Sequence, residues 1–130
     1  MTDEELAAEV KRCWDHWAGH LGLTNWTPFI KVKPIKVGEG LQVAVIRPYL
    51  SASISISPKR PRPELPINHS VLHEMIHVVL DPMRLWADYH STWATAKHTD
   101  FDSFHDAEER AVDALTATIL RLHAMTDCKD

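Results

Sequence analysis

The hydrophobic period of this chain changes twice within 130 residues, from helical to alternating and back to helical. That succession limits the folds open to it. Thr2 followed by Glu5 forms a capping box. Leu6, Val10, Cys13, Trp14, Trp17 and Leu21 then recur at the three-and-four spacing of one helix face, and Gly22 is placed to stop the helix. Trp14 and Trp17, at helical spacing, read as core rather than as a ligand box. From Phe29 the period becomes two, because successive side chains of a strand point to opposite faces. Three short strands fit, over 28–33, 41–47 and 52–57. The first two read as a hairpin turning around Gly38 and Gly40. In the third, Ile54 and Ile56 alternate with Ser53, Ser55 and Ser57, which reads as an edge or near-edge strand with one apolar and one hydroxyl face. The proline-rich stretch 58–66 reads as an extended connection.

Helical spacing resumes over 67–80, with Leu72, Met75, Ile76, Val79 and Leu80 on one side and Asp81-Pro82 as the expected end. Residues 82–105 show no clear period. The last helix, 106–125, is expected to bury Ala111, Val112, Leu115, Ile119 and Leu122. The expected class is therefore α+β: an N-terminal helix, a small three-stranded, mostly antiparallel sheet and two further helices, in a single domain over 1–130.

Composition excludes several functions. With 45% hydrophobic and 25% charged residues the chain is of the soluble globular type. A formal net charge of -4 argues against a nucleic-acid partner held on a basic face, and Lys59, Arg60 and Arg62, interrupted by prolines, read as a solvated loop. No apolar run approaches the ~20 residues that span a bilayer, so no membrane partner is expected. The opening MTDEELAAEV is acidic and amphipathic, unlike a secretory signal or transit peptide, so the expected location is the cytoplasm. Cys13 and Cys128 lack the paired spacing of a thiolate metal site. They could bridge the termini, but a reduced, half-buried Cys13 is the simpler reading.

The chemistry-bearing segment is His73-Glu74-Met75-Ile76-His77. Residues four apart on a helix lie one turn above each other, so both imidazoles can converge on one ion. Glu74 is rotated by ~100° from His73, beside the ion rather than on it, where its carboxylate can hydrogen-bond a metal-bound water. Zinc lowers the pKa of such a water towards ~7, and Glu74 can take its proton and deliver it to a leaving amine. The pattern is expected by chance about 0.04 times in a chain of this composition.

A catalytic zinc needs a third protein ligand and an open position. The long motif with a third His is excluded, because Leu80 and Met83 stand where Gly and His would be required. The ligand is therefore sought among the acids opening the last helix, Glu108 and Glu109. Glu108 points into the expected apolar stripe while Glu109 and Asp113 sit ~100–140° away, which favours Glu109 as ligand. Asp113 could then accept the second ring N–H of His73 or His77. Glu108 and His105 remain alternatives. Tyr89, His90, His98 and His105 could stabilise an oxyanion, and His69 could line the cleft. Closure of the shell by His105 or Asp102 would instead make a structural site. His16, His20 and His123 read as surface residues.

HEMIH followed by EERAVD resembles the gluzincin group of zinc metallopeptidases, and the length and order of elements resemble its minimal members, the small phage- and prophage-encoded and ImmA-like peptidases. The resemblance covers mainly residues 52–120. It implies a zincin-like fold, a Zn2+ cofactor held by His73, His77 and Glu109, Glu74 as general base, and a peptide or protein substrate. It also implies that an edge strand, here 52–57, binds extended substrate backbone. The ligand helix departs from the group in lacking the Asn that often accompanies its Glu. The other functions open to these residues are an inactive, zinc-stabilised binding or regulatory module and amide hydrolysis on a non-peptide substrate.

Overall fold

The computed structural model describes residues 1–35, 40–46, 49–59, 65–90 and 98–125, and their side chains at all but 88–90, 98–102 and 125. Their order is α1 (Asp3–Leu21), β1 (Thr27–Val32), β2 (Leu41–Ile46), β3 (Ser51–Ile56), α2 (Ile67–His90) and α3 (His98–Met125). The class is α+β, with three helices and one three-stranded mixed sheet among the described residues. None of these helices is long and apolar enough to cross a membrane. Two compact units make up the chain, Met1–Val79 and Leu80–Lys129, and the boundary falls inside α2.

In the first unit, α1 starts and stops where its sequence dictates. The Thr2 hydroxyl accepts the Glu5 backbone N–H at 3.1 Å, satisfying one orphan donor of the first turn. Gly22 closes the helix at φ 73°, and its N–H donates to the Ala18 carbonyl. Leu6, Val10, Cys13, Trp14, Trp17 and Ala18 are buried, so the tryptophans are core, as the spacing implied. Cys13 is fully buried and its thiol donates weakly to Glu9. Cys128 lies outside the described residues, and with it any bridge between the two cysteines. Helix α1 packs on β1, and the indole N–H of Trp17 donates to the Asn68 side-chain oxygen at 2.6 Å. That bond ties α1 to the first turn of α2.

The sheet corrects the sequence reading in three respects. Strand order is β1-β3-β2, with β1 parallel and β2 antiparallel to β3, so the sheet is mixed rather than mostly antiparallel. The expected hairpin of the first two strands does not form, because β3 lies between them; the antiparallel neighbours are β2 and β3, joined by the short connection 47–50. The turn expected at Gly38 lies outside the described residues. And β3 is the central strand, not an edge. Its registers run on both sides, Ile30 opposite Ile54 and Val43 opposite Ile54, so its backbone groups are already taken and 52–57 cannot serve as the substrate-binding edge. Burial follows this position: Ala52, Ile54 and Ile56 are fully buried and Ser55 nearly so. The exposed Lys31 lies on β1, an edge, where a charged side chain discourages pairing with other chains.

Helix α2 begins at Ile67, as expected, but runs on to His90 with Pro82 inside it. Pro82 removes one donor to the preceding turn and normally ends a helix. Here the residues after it are held in place within the second unit: the Arg84 guanidinium pairs with Glu108 at 3.0 Å and lies 5.7 Å from the centre of the Phe104 ring. Helix α3 likewise starts at His98 rather than 106, so most of the irregular stretch 82–105 is helical. Its interior face differs from the expected stripe. Val112 and Thr116 are buried with Glu108, whereas Ala111, Leu115 and Leu122 are exposed and Ile119 is half-buried. Two polar residues sit on the interior face because each is satisfied there, Glu108 by Arg84 and Thr116 by donating to the Val112 carbonyl at 2.7 Å.

Replacing Asn68 by Ala strips the buried Trp17 N–H of this acceptor, and such a loss costs about 1–3 kcal/mol. Urea unfolding of Asn68→Ala is expected to show a lower midpoint with an unchanged slope.

Candidate metal centre

Helix α2 divides its sides between packing and chemistry. Val71, Leu72, Met75, Ile76 and Val78 are buried, which fixes the rotation of the helix about its axis. His73, Glu74 and His77 are half-buried on the remaining surface. The rings of His73 and His77 stand 5.2 Å apart, centre to centre, and 64° out of parallel. Four-residue spacing delivers this, because one turn plus about 40° separates the two Cα positions.

Glu109 of α3 completes a group that could hold a metal ion. His73, His77 and Glu109 each offer one ligand atom, and all three residues are half-buried. Two imidazoles and a carboxylate suit zinc and neighbouring first-row ions, whereas calcium and magnesium prefer all-oxygen shells. Among the described residues the group holds three side chains, the number a catalytic zinc uses.

The adjacent acids of α3 separate cleanly. Glu108 faces inward, only 8% exposed, and its carboxylate is engaged by Arg84. Glu109, one residue and ~100° further round, belongs to the metal group. Asp113 and His105 are exposed, and neither joins the three. His69, one turn before His73, is half-buried. Tyr89 and His90 lie in the last turn of α2 and His98 and Asp102 in the first part of α3, but their side chains are outside those described. A second histidine group was missed in the sequence. His16 and His20, which read as surface residues, stand with their ring centres 5.1 Å apart. The available signal was the four-residue spacing of His16 and His20, the same as that of His73 and His77.

The two acids have separable effects. Glu108→Ala removes the buried carboxylate that pairs with the half-buried Arg84 guanidinium and is expected to lower the unfolding midpoint while leaving metal stoichiometry intact. Glu109→Ala is expected to reverse this, with little change in the unfolding midpoint and weakened metal uptake in equilibrium dialysis.

Compared with family models, curated proteins and solved structures, the chain matches none.

Proposed function

We propose that this chain is a zinc-dependent peptidase in which His73, His77 and Glu109 hold the ion and Glu74 is the general base. The observation that carries the reading is the pair of HEMIH imidazoles on one side of α2, their ring centres 5.2 Å apart, with the half-buried Glu74 next to them in the chain. A zinc ion there would act as a Lewis acid, lowering the pKa of a water towards about 7 and polarising a scissile carbonyl. The remaining chemistry belongs to the chain. Glu74 neighbours His73 in sequence and is half-buried, so its carboxylate can accept a proton from the attacking water and return it to the departing amine nitrogen. The proton balance of peptide hydrolysis then closes on one side chain.

His73 and His77 contribute rigidity as well as donor atoms. Both come from one helix whose opposite side is locked into the core by Leu72, Met75 and Ile76, and such preorganisation is what a catalytic constellation requires. The half-burial of all three ligands leaves the group within reach of solvent and of a bound peptide. Asp113, exposed one turn beyond Glu109, is the acid available to orient a ligand imidazole through its second ring nitrogen.

The test compares variants for both metal and turnover. Zinc-loaded wild type is expected to cleave an unstructured peptide library, read by mass spectrometry. Glu74→Gln should retain its zinc and lose about 10²–10⁴-fold in kcat/KM, whereas His73→Ala should lose the zinc itself. Undiminished cleavage by Glu74→Gln would refute the mechanism. A zinc-loaded wild type that cleaves nothing would make the ion a staple rather than a catalyst.

A further inference from the structure

We infer that His16 and His20 form a two-imidazole chelate for copper(II) and nickel(II), built from α1 alone and independent of the proposed catalysis. Residues four apart lie one turn above each other on the same side of a helix. Their rings accordingly stand 5.1 Å apart, centre to centre, and 61° out of parallel. The His73–His77 pair has nearly the same arrangement, at 5.2 Å and 64°. One spacing on two different helices thus yields one pairing geometry.

Packing holds the pair in place. Leu6, Val10, Cys13, Trp14, Trp17 and Ala18 are buried, so α1 cannot turn about its axis without exposing its core side, and the positions of His16 and His20 are fixed with it. The rings are confined as well. The centre of the Trp17 ring lies 4.6 Å from that of His16 and 5.8 Å from that of His20, and Trp17 is itself anchored by its bond to Asn68. Side chains already confined lose less rotamer freedom when they bind. His16 is half-buried and His20 exposed, which leaves a way in for the ion and room for waters that complete its shell.

Charge and donor type define the ion. His20 lies in the last turn of α1, where carbonyls without intrahelical partners gather about half a negative charge and stabilise a cation. Two neutral imidazoles offer nitrogen and no oxygen, so magnesium and calcium are disfavoured. Among the late first-row ions copper(II) has the highest intrinsic affinity, and copper(II) and nickel(II) accept tetragonal shells in which waters stand beside two nitrogens. Zinc sites in proteins use three or four protein ligands, so zinc is held less well by this pair.

The experiment titrates copper(II), nickel(II), zinc(II) and calcium into the tag-free double variant His73→Ala/His77→Ala, alone and combined with His20→Ala or with His105→Ala, following calorimetry and tryptophan emission. The double variant should take up one copper ion with quenching of the neighbouring Trp17, bind nickel and zinc more weakly, and give no response to calcium. Adding His20→Ala should weaken copper binding by at least about tenfold and remove the quenching, since losing a ligand costs no less than losing its supporting partner. His105→Ala, which deletes an exposed imidazole outside the pair, should change neither. His20 is exposed and helical, so Ala there preserves the fold, which circular dichroism checks. If the double variant does not fold, the same comparison is read in wild type, where His20→Ala should lower the copper stoichiometry by one ion. Equal effects of His20→Ala and His105→Ala, or none from either, would show that the pair is not a site, and zinc bound as tightly as copper would overturn its selectivity. A failure of peptide cleavage in wild type would leave this result untouched.

Discussion

The rotation of α2 about its own axis governs the candidate centre. Val71, Leu72, Met75, Ile76 and Val78 are each 3% exposed or less, and burying five such side chains stabilises the fold by several kcal/mol, at about 1.5–3 kcal/mol for a large aliphatic. A helix held that firmly cannot turn, so the side carrying His73, Glu74 and His77 is set by the apolar side, though it makes none of those contacts. The His73–His77 pair inherits its geometry from packing. The first turn of the helix is also pinned, through Asn68, to the buried indole of Trp17, which couples the motif helix to α1.

Two consecutive glutamates in α3 show how one helical step separates a buried ion pair from a half-buried candidate ligand. Glu108 is buried and would be costly as a lone charge, but the Arg84 guanidinium at 3.0 Å compensates it. Glu109, one step further round the helix, is half-buried and is the acid offered as a candidate ligand. The Arg84–Glu108 pair also accounts for the continuation of α2 past Pro82, since it anchors the segment that the proline would otherwise release. One ion pair thus bears on where two helices begin and end.

The mixed sheet illustrates a different limit. Alternation in Ser51–Ile56 describes which side chains share a face, but says nothing of which strands lie alongside. Strand β3 is buried along nearly its whole length because it has neighbours on both edges. A serine-rich strand looks like a surface strand when judged by composition, yet small side chains are well suited to a crowded central position.

The sequence alone determined what depends on neighbours within a turn or two: the cap and stop of α1, the start of α2, the strand positions to within a residue, and the pairing of His73 with His77. Each rests on local hydrogen bonds or on helical and strand periodicity, which act over a few residues. Tertiary structure decided the rest. The order and direction of strands depend on backbone pairing between distant segments, and the helicity of 83–90 and 98–105 depends on Arg84, Phe104 and Glu108 meeting across the chain. The interior face of α3 carries Glu108, which helical spacing already placed in the apolar stripe, but its partner Arg84, 24 residues away, could not be read from spacing.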